Sequence, residues 1–213
     1  ALGGGPWPTS SDRPVEPIPH PSLAERAAAL GEGLDDGFRL IVFGDQRALA
    51  DGEWQAMNRL IRAREESEDH DLPVLSVVDT GDVVDDGSHS DQFHMLTDIL
   101  FPLREFPYLV GIGNHEVDNN RPGPARQHVV TYLGGSIGDL PTPAEPVDLR
   151  ENRLYSRVDV AGLRILSLDS NDLVYGPESE HTDQLGLTYR GRSQMAWLAE
   201  QLRSEEHTSE LQS

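Results

Sequence analysis

Residues 108–118 read YLVGIGNHEVD. The first half of this stretch is apolar, as expected of a short buried strand, and the apolar run stops at the sequence GNHE of residues 113–116. Polar side chains just beyond the carboxyl end of a strand lie where open α/β sheets build their binding sites. The stretch therefore predicts a strand that delivers an amide, an imidazole and a carboxylate to one edge of a sheet.

The same arrangement occurs twice earlier in the chain. The apolar run FRLIVF at 38–43 is followed by Gly44-Asp45, and the run PVLSVV at 73–78 is followed by DTGD at 79–82. An order of strand, helix, strand, helix and strand predicts parallel pairing with right-handed crossovers. We therefore expect the three polar segments to converge on one edge of the sheet.

Amphipathic helices are predicted in the two gaps between these strands. The first lies near 51–66, and its expected buried face consists of Trp54, Met57, Leu60 and Ile61. The second lies near 91–103, and its expected buried face consists of Phe93, Leu96, Leu100 and Leu103. Both faces are interpreted as core packing.

The later part of the chain is less regular. A short helix is expected near 126–133, and the Pro-rich segment 138–152 is interpreted as a surface excursion. A β-hairpin is predicted from strands at 154–160 and 163–168, which turn at Ala161-Gly162. Residues 175–188 form a polar loop to which the sequence assigns no role.

Three motifs in this order resemble the calcineurin-like metallophosphoesterases, which include the purple acid phosphatases. They are GDQR at 44–47, GDVVD at 81–85 and GNHE at 113–116. The hairpin that ends in Leu-Asp-Ser and the later QMAWL at 194–198 also resemble this family. Each motif alone is weak because Gly-Asp pairs are common, but three in order, each closing an apolar strand, are specific. The resemblance implies an α/β sandwich of the metallophosphoesterase type, with a βαβαβ start and then a hairpin and a helix.

The resemblance also implies the roles of individual residues. Asp45 would bind one metal ion, Asp82 would bridge two, and Asn114 would bind the second through its amide oxygen. The ions would be Mn, Fe or Zn, which accept oxygen and imidazole ligands. His115 would hold a phosphoryl oxygen and protonate the leaving group. The implied activity is hydrolysis of a small phosphorylated substrate, a phosphomonoester or phosphodiester, by metal-bound hydroxide. Asp79, Asp85 and Glu116 are expected to shape the loops around the site.

The chain departs from the family pattern at two places. Many members carry His where Arg47 stands, and a guanidinium cannot ligate a metal, so Arg47 is expected to bind substrate phosphate or to support the site. In addition, no Gly-His-x-His occurs in the sequence. That motif would supply imidazole ligands, so this chain is expected to be incomplete at its C-terminus, to bind metals poorly and to be inactive alone.

Three segments are expected along the chain. Residues 1–21 are rich in Gly and Pro and are predicted to be a flexible lead, and residues 22–202 form the partial metallophosphoesterase domain. Residues 203–213, RSEEHTSELQS, resemble the translation of a common sequencing adapter, the alternative being a genuine polar helix end. A Pro-rich lead often follows a signal peptide, which favours an exported protein, periplasmic or extracellular.

Composition narrows the set of partners. The net charge is −20, which argues against a polymeric nucleic acid, because binding one requires clustered cations. No apolar run has the length of a membrane span, so no membrane partner is expected. Cysteine and lysine are both absent, and an arginine-only basic set favours a GC-rich bacterial genome. Two alternatives stay open: a nucleotide hydrolase or nuclease on the same fold, and a non-catalytic binding domain, for which Arg47 is the best support.

Overall fold

A computed structural model describes residues 20–47, 52–67, 72–117, 124–133, 154–182 and 188–210. The strands are β1 (Arg39–Phe43), β2 (Val74–Asp79), β3 (Tyr108–Val110), β4 (Ser156–Val160), β5 (Leu163–Ser167), β6 (His181–Thr182) and β7 (Thr188–Tyr189). The helices are α1 (Leu23–Leu30), α2 (Glu53–Ser67), α3 (Ser90–Leu100), α4 (Asn114–Val117), α5 (Pro124–Leu133) and α6 (Gly191–Glu210). Short 3₁₀ turns span Gly31–Leu34, Phe101–Leu103 and Ser170–Leu173.

The three predicted apolar strands form one parallel sheet in the order β1-β2-β3. Val42 pairs with Val78, and Val78 pairs with Leu109. Because all three strands run in the same direction, their carboxyl ends lie at one edge. This confirms the prediction of a mixed α/β fold with parallel pairing.

The main core lies between this sheet and helix α3. Alternate strand residues point to opposite faces, so Val77, Tyr108 and Val110 join the same buried cluster. The predicted buried face of the second helix is confirmed, since its members are at most 2% exposed, and these are Phe93, Leu96, Leu100 and Leu103. The sheet is thereby covered on this face, and the polar segments project beyond the core at its edge.

The predicted buried face of helix α2 is wrong at two positions. Met57 is 50% exposed and Leu60 is 67% exposed. The helix instead packs through Trp54 and Ile61, with the fully buried Asn58 between them. The amide nitrogen of Asn58 donates to a carbonyl of α3. Apolar periodicity identified Trp54 and Ile61 but not Asn58 between them, because Asn58 is polar and is satisfied by a backbone group.

The β4–β5 hairpin forms as predicted, with an antiparallel ladder that closes at Ala161-Gly162. Both turn residues have positive φ, 48° and 74°, which suits the tight turn of a hairpin. Beyond β5 the chain makes one parallel bridge, between Asp169 and Ile112. This bridge places the segment after the hairpin beside the third polar segment of the sheet.

The ends of the described chain refine the predicted segments. The predicted lead extends through Pro21, but His20 already packs on the core, where its Nδ1 donates to the Phe106 carbonyl at 2.8 Å and its ring stacks on Tyr108. Helix α1 then begins with a capping box between Ser22 and Glu25. Helix α6 continues through Glu210, into the segment that resembles an adapter.

Two further sequence interpretations concern loops. The polar loop at 175–188 includes β6 and ends at the first residue of β7, and these two strands pair with each other and were not predicted. The Pro-rich segment 138–152 lies outside the described residues. Among the residues that are described, no helix is long and apolar enough to cross a membrane.

Candidate functional site

Backbone hydrogen bonds join the first two polar segments. The amide of Asp45 donates to the Gly81 carbonyl at 2.9 Å, and the amide of Arg47 donates to the Asp82 carbonyl at 2.8 Å. Gly44 allows this close approach, because a Cβ there would lie 2.1 Å from the hydroxyl oxygen of Thr80. The segments after β1 and β2 are therefore laid side by side.

The third polar segment is held against the second. The amide of His115 donates to Oδ1 of Asp82 at 3.2 Å. A Cβ at Gly113 would lie only 2.1 Å from the same oxygen, so the glycine leaves the space that the carboxylate occupies. Asn114 begins α4 and is exposed beside these groups. The structure thus brings all three motifs to one edge.

The backbone is strained at this edge. Asp45, Arg47 and Asp82 have φ values of 60°, 49° and 55°, in the left-handed region that side chains other than Gly rarely adopt. Among the described residues, Ala161 in the hairpin turn is the other non-glycine residue with positive φ. Strain of this kind concentrates at functional sites, where the surrounding structure enforces it.

Glu116 is a buried carboxylate that ties the second and third segments together. Its side chain is fully buried and accepts hydrogen bonds from the amides of Asp82 at 3.0 Å, Val84 at 3.1 Å and Gly113 at 2.8 Å. Burial raises the pKa of this carboxyl group, and the three N–H donors partly oppose that rise. Glu116 therefore fixes the loop that carries Asp82 relative to the turn that carries Asn114.

Asp79 occupies a second buried position, directly behind the edge. Its carboxylate accepts hydrogen bonds from the Tyr108 hydroxyl at 2.7 Å, from the Gly81 amide at 3.1 Å and from the side-chain amide of Gln46. Burial raises the pKa of Asp79 to about 7, although these donors oppose the shift. Gln46 lies between Asp45 and Arg47 in the chain, so its hydrogen bond to Asp79 holds the first polar segment in place.

His115 has a defined ring orientation. Its Nδ1 lies 2.7 Å from the Asp85 carbonyl oxygen, which can only accept, so Nδ1 carries a hydrogen. In the neutral ring Nε2 is then the basic nitrogen. The loop that supplies this carbonyl is itself fixed, because the amide of Gly87 donates to the His115 carbonyl at 2.9 Å and His128 donates to the Gly87 carbonyl.

Arg47 places a positive charge among carboxylates. Its Nε donates to Oδ1 of Asp45 at 2.7 Å, and that carboxylate is 70% exposed. This hydrogen bond and the charges of Asp45, Asp82 and Asp85 raise the pKa of the guanidinium, while slight desolvation opposes the rise. These carboxylates therefore give the edge a negative electrostatic potential, which favours a cation at this place.

The donors at this edge fit a hard metal cation in type. Asp45 and Asp82 offer carboxylate oxygens and Asn114 an amide oxygen, which suit such cations. Within the described ranges, however, no group of three or more carboxylate or imidazole side chains is arranged to hold a metal ion. The Arg47 guanidinium occupies the place beside Asp45 where positive charge is favoured, and so acts there as an internal counter-ion.

Asn171 belongs to the same edge and was not singled out in the sequence. It is largely buried, and its side-chain nitrogen donates to the Gly113 carbonyl at 3.1 Å and to Asp169 Oδ1 at 2.9 Å. The sequence offers only a partial signal, since Asp-Ser-Asn follows the end of an apolar strand just as the three motifs do. That signal does not place Asn171 at this edge, because its position depends on the parallel bridge between Asp169 and Ile112.

The five residues selected from the sequence, Asp45, Arg47, Asp82, Asn114 and His115, thus all lie in the three segments at this edge. Comparison with protein-family models gives no match, and comparisons with curated proteins and with solved structures give no significant match. The chemistry of the edge must therefore be inferred from its own residues.

Proposed function

We propose that this protein is a metal-dependent phosphoester hydrolase of the calcineurin-like type, acting on a small phosphomonoester or phosphodiester. The observation that carries the proposal is that hydrogen bonds join three polar segments at the carboxyl ends of parallel strands. Those segments hold Asp45, Asp82, Asn114 and His115 together. Oxygen ligands with an adjacent imidazole are the groups that hydrolysis of a phosphate ester requires.

Two metal ions of the Mn, Fe or Zn type would be held by the oxygen donors. Asp45 would serve one ion, Asn114 the other, and Asp82 both. When bound, such a pair of ions lowers the pKa of a water molecule and neutralises the phosphoryl oxygens. Glu116 would keep the donors in place, because it grips the amides of both loops that carry them.

His115 would donate a proton to the leaving group. Since Nδ1–H is committed to the Asp85 carbonyl, Nε2 is the nitrogen that can bind a phosphoryl oxygen when protonated. The same nitrogen can give its proton to the departing alkoxide. The hydrogen bond from the His115 amide to Asp82 keeps this imidazole next to the carboxylate assigned to both ions.

Arg47 would contact the phosphate of the substrate. A guanidinium matches phosphate geometry through parallel N–H groups, and 40% of the Arg47 side chain is exposed. The hydrogen bond from Arg47 to Asp45 would hold the guanidinium group beside the proposed metal ligands. This arrangement supports the interpretation of Arg47 as a phosphate-binding residue.

Binding of Mn²⁺ tests the proposal directly and is measured by electron paramagnetic resonance. We expect saturable but weak binding, because the sequence contains no Gly-His-x-His to supply imidazole ligands. Asp82→Asn should abolish binding, since it removes the shared carboxylate. Asp98→Asn removes one exposed carboxylate from α3 and is the matched control, expected to bind as the wild type does. Absence of saturable binding, or equal loss in both variants, would overturn the metal site.

A second candidate is a non-catalytic phosphate-binding domain, and the ion pair between Arg47 and Asp45 is the observation that favours it. In that case the guanidinium replaces a metal as the cation that attracts phosphate. Because this chain is expected to be inactive alone, the two candidates are distinguished by whether phosphate binding depends on Mn²⁺. Phosphate binding that requires Mn²⁺ and is lost in Asp82→Asn supports the hydrolase. Phosphate binding that needs Arg47 but not Mn²⁺ supports the binding domain.

A further inference from the structure

A cleft of about 410 Å³ opens at the amino ends of β1 and β2, at the opposite end of the sheet from the three motifs. Its volume falls in the range of about 300–1,000 Å³ that small-molecule sites occupy. Helices α1 and α2 and the residues just before β3 supply its charged walls. We call it the basal cleft, and its charged and aromatic members are Arg26, Arg39, Arg62, Glu65, Glu66, Glu105 and Phe106.

The arginines of the basal cleft are held in fixed positions. The guanidinium carbons of Arg26 and Arg62 lie 5.5 and 5.4 Å from the centroid of the Phe106 ring, which is within the range of a cation–π contact. The ring that they cover is buried. Arg39 donates from its two terminal nitrogens to Glu65, at 3.0 and 2.6 Å. The cleft is therefore shaped before any ligand arrives.

Two of the three guanidinium groups keep unused donors. Arg26 donates from Nε and Nη2 to the Val74 carbonyl, at 3.1 and 2.9 Å. Arg62 donates from Nε to Glu66 at 2.8 Å and from Nη2 to Glu105 at 2.5 Å. Within the described chain, Nη1 of neither arginine has an acceptor, and Arg26 takes part in no ion pair. Each Nη1 therefore keeps its N–H groups for a ligand.

Two carboxylates of the basal cleft are open to a ligand as well. The side chains of Glu66 and Glu105 are 61% and 56% exposed, and both accept a hydrogen bond from Arg62. An ionised carboxylate has about four acceptor sites, so each can accept further hydrogen bonds. The cleft thus offers cationic donors and anionic acceptors side by side.

The charges of the basal cleft favour a ligand that carries both signs. Its three arginines and three glutamates cancel, whereas the whole chain carries a net charge of −20. That excess charge repels an anion, and a cation would meet Arg26, which no described carboxylate neutralises. A zwitterion has no net charge and can pair with both kinds of group.

We propose that the basal cleft binds a free α-amino acid with an apolar side chain. Its carboxylate accepts hydrogen bonds from Nη1 of Arg26 and of Arg62, and its ammonium group donates to Glu66 and Glu105. Its side chain packs against Leu72, which lines the same cleft. This binding requires no metal ion and lies beyond the proposed hydrolase function, because the cleft is at the other end of the sheet.

L-Valine and its two halves test the proposal by titration calorimetry of the full chain without metal. 3-Methylbutanoate is valine without the amino group, and 2-methylpropylamine is valine without the carboxylate. We expect saturable binding of valine, and binding of each half should be weaker by roughly 10-fold or more, because charge-assisted hydrogen bonds are lost. Absence of saturable valine binding, or equal binding of either half, overturns the proposal. Because no metal is added, the result is independent of the proposed hydrolase.

Two variants locate the ligand. Arg26→Gln and Glu105→Gln should each weaken valine binding roughly 10-fold, because each removes one charged partner. Glu105 is more than half exposed, so its variant should keep the fold even if Arg26→Gln does not. Arg59→Gln changes an exposed arginine of α2 and is the matched control, expected to bind valine as the wild type does. Unchanged affinity in either folded variant, or an equal loss in Arg59→Gln, would refute the assignment.

Discussion

At the scale of single residues, Glu116 holds the candidate site together. Its carboxylate accepts three backbone N–H groups from two loops and is fully buried. Glu116→Ala would leave those donors unsatisfied, at about 1–3 kcal/mol each, so we expect unfolding free energy to fall by about 3 kcal/mol or more. Glu116→Gln keeps one acceptor oxygen and should cost less. Urea unfolding measures both changes.

Glu200→Ala provides the control for these two variants. Glu200 is exposed on α6, and its removal should change the unfolding free energy by less than about 0.5 kcal/mol. If Glu116→Ala were as mild as Glu200→Ala, the two loops would be held by other contacts. The role assigned to Glu116 would then be wrong.

Asp79 makes a prediction about pH. Burial raises its pKa to about 7 in the folded protein, so the folded state keeps a proton that the unfolded chain has lost. The contribution to stability is therefore complete at low pH and is lost as the pH rises through that folded-state value. Between about pH 4.5 and about pH 8, the unfolding free energy of the wild type should fall by about 3 kcal/mol relative to Asp79→Asn.

The comparison with Asp79→Asn removes the effects of other titrating groups, such as His20, whose pKa is lowered by burial. Asp98→Asn is the control, because it changes an exposed carboxyl group in the same chemical way. Its unfolding free energy should track that of the wild type at every pH. A parallel profile for Asp79→Asn would mean that Asp79 is ionised throughout the range.

At the scale of elements, helix α2 offers a matched pair of neighbours. Ile61 packs against the core, whereas Leu60 is 67% exposed. Ile61→Ala should lower the unfolding free energy by about 1–2 kcal/mol, and Leu60→Ala by less than about 0.5 kcal/mol. Both changes replace a four-carbon aliphatic side chain by Ala in the same helix turn, and Ile and Leu differ in helix propensity by only a few tenths of a kcal/mol, so burial decides the comparison. A larger loss of unfolding free energy for Leu60→Ala would show that Leu60 belongs to the buried face, as the apolar spacing predicted.

The elements also show what the sequence could predict. The strands at 38–43 and 73–78 and the hairpin turn at Ala161-Gly162 were recognisable, because apolar runs and turn residues are local signals. The buried side of α2 was recognisable only in part, through Trp54 and Ile61, because Asn58 between them is polar and is satisfied by a backbone carbonyl of another helix. Tertiary hydrogen bonds of this kind leave no local pattern, and β6 and β7 are too short to create one.

The same distinction applies to the site. Asp45, Asp82, Asn114 and His115 could be placed at one edge from strand order alone. Asn171 could not, because its position depends on a single parallel bridge between Asp169 and Ile112. A strand that arrives from the hairpin and then lies beside β3 is a long-range event. Sequence periodicity carries no information about it.

At the scale of the whole molecule, we expect the net charge to determine how stability depends on salt. A charge of −20 on a chain of 213 residues destabilises the compact state through self-repulsion, and salt screens that repulsion. We expect the melting temperature to rise as KCl increases from about 0.05 M to about 1 M. Surface ion pairs such as Arg62 with Glu105 weaken in salt, but exposed pairs contribute little. A melting temperature that falls with KCl would show that specific pairs outweigh the net charge.

The left-handed backbone of Asp45 and Asp82, at φ values of 60° and 55°, limits which substitutions the two positions can accept during evolution. Asn and Gly tolerate that conformation, whereas β-branched residues do not. In a saturation library, Asn at either position should preserve protein abundance while weakening Mn²⁺ binding at the proposed metal site, and Val should lower protein abundance. Asn is one base change away from Asp, so a copy that keeps the fold but lacks a carboxylate at this edge is a single mutational step away.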